Sequence, residues 1–147
     1  GIRLPCIAAW PGRIQPGQTS TYVGASWDFF PTFAELAGAP APTGIDGQSI
    51  APTLLGGRPQ AAHAPLYWET VAGGHQAVRM GDWKGLRLGV AKKPDAPIQL
   101  FNLATDPGET TDVAAGHPDI VDKVAALLKS SRVPSPEFPM GQLDQNP

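Results

Sequence analysis

The side chains in this sequence that could do chemistry are one thiol, one acidic group, three histidines and three cations on neighbouring segments. Cys6 is the only cysteine, so neither an internal disulfide nor a multi-cysteine zinc site can form. It lies in the apolar run Ile2, Leu4, Cys6, Ile7, Ala8, Ala9 and reads as a small residue of a buried strand. Asp106, Glu109 and Asp112 form the densest acidic group. Calcium asks for about six to eight oxygens, and a calcium loop places Asp and Asn at alternate positions. This group lacks that spacing, and turn and capping duties suit it better. His63, His75 and His117 are scattered, with no His-x-x-x-His pair, so no zinc cluster is legible. His63 sits in a proline-rich connector and reads as solvated, whereas His117 precedes Pro118 and reads as a helix cap. His75 follows Gly73-Gly74 at the start of a strand, where an imidazole could gain charge near neutral pH and hold an anion. Arg79, Lys84 and Arg87 could form an anion patch. Side-chain alternation argues instead for a solvated face, with Val78 and Met80 turned inward around Arg79, and Leu86 and Leu88 around Arg87.

The elements that must position these groups can be read from the spacing of apolar residues and from Pro and Gly. Residues 2–10 predict a strand buried on both faces, stopped by Pro11-Gly12 and disturbed by Pro5, which has no N–H to donate. "SWDFFPTFAELAG" predicts a helix over 26–37, with Ser26 as N-cap and Gly38 as its left-handed end. Pro31 either kinks that helix or begins it. Prolines 40, 42, 52, 59 and 65 keep the following stretch a connector, and a domain boundary is expected near residue 60. Beyond it "PLYWETV", "HQAVRM", "WKGLRL" and "IQLFNL" read as four strands, the middle two joined by a tight turn at Gly81-Asp82. Asp106-Pro107-Gly108 turns the chain away from the last strand, with Gly108 free to be left-handed and Glu109, Thr110, Thr111 and Asp112 able to satisfy local N–H groups. "HPDIVDKVAALLKSS" predicts a helix opened by Pro118, whose stripe of Ile120, Val121, Val124, Leu127 and Leu128 should cover the sheet. Residues 134–147 show no periodicity and read as an extended or disordered tail.

Composition limits the alternatives. The net charge of −2 over 147 residues gives no field that would recruit nucleic acid or an anionic membrane. No apolar run reaches the about 18 residues that span a bilayer. Seventeen Gly and seventeen Pro point to a loop-rich globular chain.

Five segments in order, "GIRLPCIAAWPGRIQPG", "SWDFFPTFAELAG", "DGQSIAPTLLG", "QAVRMGDWKGLRL" and "LFNLATDPGETTDVA", resemble the C-terminal portion of the type I, formylglycine-dependent sulfatases of the arylsulfatase family. The resemblance runs from residue 1 to about 130. It implies an α+β fold. Residues 1–60 (strand 2–10, helix 26–37 and a linker) would close the large α/β domain of an alkaline-phosphatase-like enzyme. Residues 61–133 would form a four-stranded antiparallel sheet packed by one C-terminal helix, with 134–147 as the tail. The periodicity over 65–131 arrives at the same small domain independently.

The resemblance also implies what the parent protein does: metal-dependent hydrolysis of sulfate esters by a formylglycine made from cysteine, usually with calcium. The family places that cysteine in Cys-x-Pro-x-Arg or Cys-x-Ala-x-Arg. Cys6-Ile7-Ala8-Ala9-Trp10 has Trp10 where Arg is needed, and the remaining machinery lies upstream in family members. No catalytic or metal residue is therefore assigned here, and the chain alone is expected to be inactive and to bind no cofactor. His75, with Gln76 as companion, is the candidate for the rim of the substrate pocket, by likeness to sulfatases whose C-terminal domain supplies such side chains. The expected partners are the rest of the sulfatase domain, or another copy of the chain, through the 2–10 strand, with a small sulfated substrate for the parent and no nucleic acid or membrane. Two other readings stay open: a phosphate or phosphonate ester hydrolase of the same superfamily, and a stand-alone non-catalytic binding or oligomerisation module.

Overall fold

A computed structural model describes residues 2–40 and 42–145. The chain divides into two compact units, Gly1–His63 and Ala64–Pro147.

In the first unit the expected strand at 2–10 is not formed. These residues are exposed throughout, Leu4 by 83% and Ile7 by 94%, and Cys6 is exposed with them. The reason is backbone hydrogen bonding: a strand satisfies its N–H and C=O groups only through a neighbour. The only sheet among the described residues is β1–β4 below, and 2–10 takes no part in it. Cys6 is accordingly a surface thiol and not the buried residue the apolar run suggested.

The first helix begins with a single 3-10 turn, Ser26–Asp28, and continues as α1, Phe29–Leu36. Ser26 is not the cap. The extended residue ahead of the turn is Ala25, and Asp28 reaches back to accept its N–H at 2.8 Å. Pro31 is the third residue of α1, within the first turn, where no intrahelical N–H bond is lost. Gly38, at φ +69°, ends the helix. The next helix, α2, is Ala51–Leu55 and carries Pro52 in its first turn.

The second unit is one antiparallel sheet in the order β1 Leu66–Thr70, β2 His75–Met80, β3 Trp83–Arg87, β4 Ile98–Asn102, with α3, Pro118–Ser130, packed on it. Gly81-Asp82 makes a two-residue hairpin closed by the Met80–Trp83 pair. Gly81 has φ +58° and Asp82 does not enter the left-handed region, the pattern in which only the first turn residue must be left-handed. Register aligns Val78 with Gly85 and Gly85 with Leu100. Val78 and Leu100 form the core with Val124 and Leu128 of α3, joined at the edges by Tyr67, Trp83, Ile98, Ile120, Val121 and Leu127. Gly85 is required by space: a Cβ there would lie 2.2 Å from Val124 Cγ1. Its absence lets α3 settle onto the strand.

The turn after β4 differs in detail from its sequence reading. The left-handed residue is Glu109, φ +56°, not Gly108. Asp106 organises the loop, its carboxylate accepting the N–H groups of Thr110 and Thr111 at 2.8 and 2.9 Å. His117 stands at the N-cap position of α3 but its side chain caps nothing; the ring packs on Trp83 at 4.9 Å between centroids. The tail is not extended throughout: Met140 is fully buried and Gly141–Asp144 form a 3-10 turn, while Asn146 and Pro147 lie outside the described residues. An apolar anchor of that kind, four residues from an arginine-paired aspartate, leaves no periodic trace in a sequence.

Candidate functional site

His75 is shaped by the turn before it. Gly73 and Gly74 both have positive φ, and a Cβ on Gly73 would lie 2.5 Å from His75 Nε2. The imidazole therefore lies across a turn that tolerates only glycine. His75 Nδ1 accepts the N–H of Gly89 at 3.2 Å, and the Gly74 carbonyl accepts the N–H of Val90 at 2.8 Å. Because Nδ1 is an acceptor, the neutral ring carries its proton on Nε2 and can donate there.

Gln76 does not stand beside it. Successive strand residues face opposite ways, and Gln76 shares the α3 side of β2 with Val78, only 2% exposed. Its Nε2 donates to Tyr67 Oη at 2.9 Å, and Tyr67 Oη donates to Glu69 Oε2 at 2.6 Å. Glu69 Oε2 accepts from Arg132 Nε at 3.2 Å, and Arg132 pairs also with Asp144. Burial, reinforced by the bond to Glu69, pushes the Tyr67 phenol well above its ordinary range. The chain of groups ties β2, β1, the end of α3 and the tail together. Held neutral, the phenol serves there as a hydrogen-bond relay.

Two of the three cations fall otherwise than alternation suggested; Arg79 does lie on the side of β2 away from Val78, donating to the Gly81 carbonyl at 3.1 Å. Register places Arg87 opposite Gln76, on the α3 side, with Leu86 on the other side. Partial burial lowers the Arg87 guanidinium. Lys84 is 5% exposed and pairs with Glu109, so it is no part of a solvated face. The three charges do not converge. The acidic trio separates likewise: Asp106 serves Thr110 and Thr111, Glu109 serves Lys84, and Asp112 Oδ1 accepts the N–H groups of Leu100 and Ala114, each at 3.0 Å. Among the described residues, no three His, Cys, Asp or Glu side chains meet where a metal could sit, and no helix is long and apolar enough to cross a membrane.

The polar constellation that sequence reasoning missed is in the first unit. His63 Nε2 lies 2.9 and 2.8 Å from the two oxygens of Asp28, and His63 Nδ1 lies 2.7 Å from Gln48 Nε2. Both side chains are buried, His63 exposing 8% and Asp28 1%, which corrects the solvated reading of His63. Asp28 also accepts the N–H groups of Ala25 and Gln48. Thr32 extends the network, donating to the Asp28 carbonyl at 2.6 Å and accepting from Ile50 N–H at 2.9 Å. An aspartate-oriented histidine is half of a nucleophile-activating triad. Here its remaining nitrogen faces an amide N–H₂, which donates to it, so it has no free lone pair to take a proton from a hydroxyl or thiol. The arrangement fastens three segments. The one sequence signal for it is negative: an aspartate inside an apolar helix start and a histidine in a connector, each in need of a partner.

Residues 1–133 match the family described as N-sulphoglucosamine sulphohydrolase, C-terminal. Human arylsulfatase A is 34% identical over 151 residues, covering 88% of this chain and 29% of that enzyme. The chain thus spans under a third of the length of the curated relative it matches. BT4656, solved with its substrate D-glucosamine-2-N,6-O-disulfate, aligns over 83% of this chain and 26% of its own with a TM-score of 0.68 at 22% identity. The phosphonate monoester hydrolase of Agrobacterium radiobacter aligns over 74% of this chain and 25% of its own, with a TM-score of 0.54 at 25% identity.

Proposed function

Since the chain belongs to the sulfatase family whose C-terminal region it matches over residues 1–133, we propose that it is the C-terminal portion of an enzyme that hydrolyses sulfate esters, and that this portion is structural and catalytically silent by itself. The observation that carries the reading is the pairing of that match with an Asp28–His63 pair and three carboxylates that are all committed to other groups of the chain. The Asp28–His63 pair, the Tyr67–Glu69–Arg132 relay and the carboxylates of the acidic trio each serve another part of the chain, while Gln76 Oε1 is buried without a hydrogen-bond partner among the described residues. The residues do not fit a formylglycine site: Cys6 heads a pentapeptide ending in Trp10, with no arginine. They do not fit a calcium site either, since the carboxylates point at separate partners. In this reading the parent supplies nucleophile and metal from elsewhere in its length.

Two finer roles belong to the same proposal. His75, fixed by Gly73 and Gly89 with Nε2–H as its donor, contributes to the rim of the substrate pocket for a sulfated substrate. Gln76 supports it only from the far side of β2. Residues 2–10, apolar and exposed, pair with the remainder of the sulfatase domain as a strand.

The test is turnover of a chromogenic aryl sulfate. The 147-residue chain shows none with or without calcium, while the full-length polypeptide that carries it does. Turnover by a preparation of this chain free of full-length enzyme overturns the silent role. The fold shared with a phosphonate monoester hydrolase favours one second reading, ester hydrolysis at phosphorus. The same full-length protein assayed on an aryl phosphonate separates the two.

A further inference from the structure

The tail of the chain reaches His75 through the loop between β3 and β4. His75 Nδ1 accepts the Gly89 N–H at 3.2 Å, and the next residue, Val90, is fully buried and donates to the Gly74 carbonyl at 2.8 Å. Ala91 follows, so close to the Gly73-Gly74 turn that a Cβ on Gly74 would lie 2.5 Å from the Ala91 Cβ. Ala91 also meets the tail: its carbonyl accepts the Gln142 N–H at 2.9 Å, and a Cβ on Gly141 would lie 2.6 Å from that oxygen. The N–H groups of Lys92 and Lys93 both reach the Gly89 carbonyl at 3.0 Å, which ties residues 89–93 into one turn. Behind the tail contact, Met140 is fully buried and its N–H donates to Asp144 Oδ2 at 2.6 Å. Asp144 pairs with Arg132, and Arg132 with Glu69 of β1. The family match ends at residue 133, so Met140 and Asp144 lie beyond the pattern it describes.

We propose that Asp144 is a positioning residue for His75: by latching the Gly141–Asp144 turn to Arg132, it holds residues 89–91 against the Gly73-Gly74 turn and keeps His75 Nδ1 occupied, with Nε2–H left to donate. The physical need comes from the glycines. Gly73, Gly74 and Gly89 all have positive φ, and glycine has the most backbone freedom to lose on folding. A ring whose Nδ1 partner sits on such backbone would be held loosely by the turn alone. The tail supplies what the glycines lack, a buried apolar side chain and an ion pair whose arginine exposes only 7%. That the ring then serves a sulfated substrate rests on the rim role proposed above; that the tail holds the ring rests on these contacts.

Labelling of His75 by diethyl pyrocarbonate, followed by peptide mass in the full-length protein, tests this. The reagent attacks the ring nitrogen that carries a lone pair, here Nδ1, which the Gly89 N–H occupies. His117, whose ring packs on Trp83 in the same unit, is the internal reference. Asp144→Ala, and separately Gly141→Ala, whose methyl meets the Ala91 carbonyl, should each speed labelling of His75 severalfold and leave His117 unchanged. Asp144→Asn keeps an acceptor for the Met140 N–H and should return part of the protection. With a sulfated substrate, Asp144→Ala should raise KM by about two- to fivefold with kcat within about twofold, because the ring is in place for only part of the time. In a His75→Ala background the same substitution should raise KM no further. Unchanged labelling in both variants, equal acceleration at His117, or a KM rise that persists without His75 overturns the inference. Faster labelling of His75 alone, with KM unmoved by both His75→Ala and Asp144→Ala, would sink the rim role and leave the positioning standing.

Discussion

His63 and Asp28, 35 residues apart, meet inside the first unit with Nε2 2.8 Å from Oδ2, and both side chains are almost wholly withdrawn from water. Gln48 completes the contact on the other ring nitrogen. Together they hold the start of α1, the approach to α2 and the last residue of the unit in one place.

Removing one side of that contact leaves the other buried and unpaired. Asp28→Ala, which also strands the N–H groups of Ala25 and Gln48, is expected to cost about 3 kcal/mol, and His63→Ala about 2 kcal/mol. Denaturant unfolding of the full-length protein measures both. The double variant should cost clearly less than the two losses added. Strict additivity would mean that the groups do not act on each other.

Lys84 and Glu109 make an asymmetric pair, the lysine side chain 7% exposed and the glutamate 25%. Glu109→Ala strands a buried ammonium and should cost about 3 kcal/mol. Lys84→Met should cost less, because the glutamate can turn to water. Glu109→Gly should recover about 1 kcal/mol relative to Glu109→Ala by relieving the left-handed backbone at φ +56°. A Lys84→Met, Glu109→Gly double variant is expected near the wild type in thermal unfolding. Equal losses for Glu109→Ala and Glu109→Gly would remove the strain argument.

Gly85→Ala should destabilise the small domain by about 2 kcal/mol, since its methyl collides with Val124. Adding Val124→Ala removes both colliding Cγ atoms, leaves the Val124 Cβ at 3.2 Å and should return part of the loss. If the second substitution only adds its own cavity cost, α3 is not seated where described.

Acid should release the tail first. The Met140 N–H, then Arg132, hold the Asp144 carboxyl below the usual range, and the Thr111 N–H, then Thr110, do the same for Asp106. A carboxyl depressed in the folded state stabilises it above the unfolded value, about 3.9, and that contribution is lost as pH falls through the lower folded value. Hydrogen exchange around Met140 should therefore be flat from pH 7 to about 5 and rise below about 4, after correction for the intrinsic rate. A rise centred near pH 6 would point to a histidine instead.

His75 and Gln76 should separate in kinetics. In the full-length protein His75→Ala is expected to raise KM for a sulfated substrate by about three- to tenfold, the worth of one charge-assisted hydrogen bond at an exposed rim, with kcat within about twofold. Gln76→Ala should leave KM alone and lower the melting temperature, because Gln76 Nε2 belongs to the Tyr67 relay. A matched rise in KM for both would place them on one surface, against the register of β2.

The four strands, the hairpin at Gly81-Asp82, the stripe of α3 and its opening proline were legible in the sequence, because each depends on residues within a few positions: alternation of period two, recurrence near 3.6, and the dihedral limits of Pro and Gly. The short α2 was not legible: the prolines around it read as a connector, yet Pro52 stands in its first turn, where proline is tolerated. Local details such as the cap at Ala25 and the left-handed Glu109 were missed, but the larger failures depended on partners far along the chain. The apolar run at 2–10 has strand character, yet strand character gives no hydrogen bonds without a neighbour, and within the described residues it has none. Lys84 looked like a solvent-facing charge until Glu109, 25 residues on, met it, and His63 looked solvated until Asp28 was brought to it by the fold. Propensity and periodicity are properties of a local stretch. The burial and pairing of a polar side chain are decided by what the fold carries to it, and that only the tertiary structure could supply.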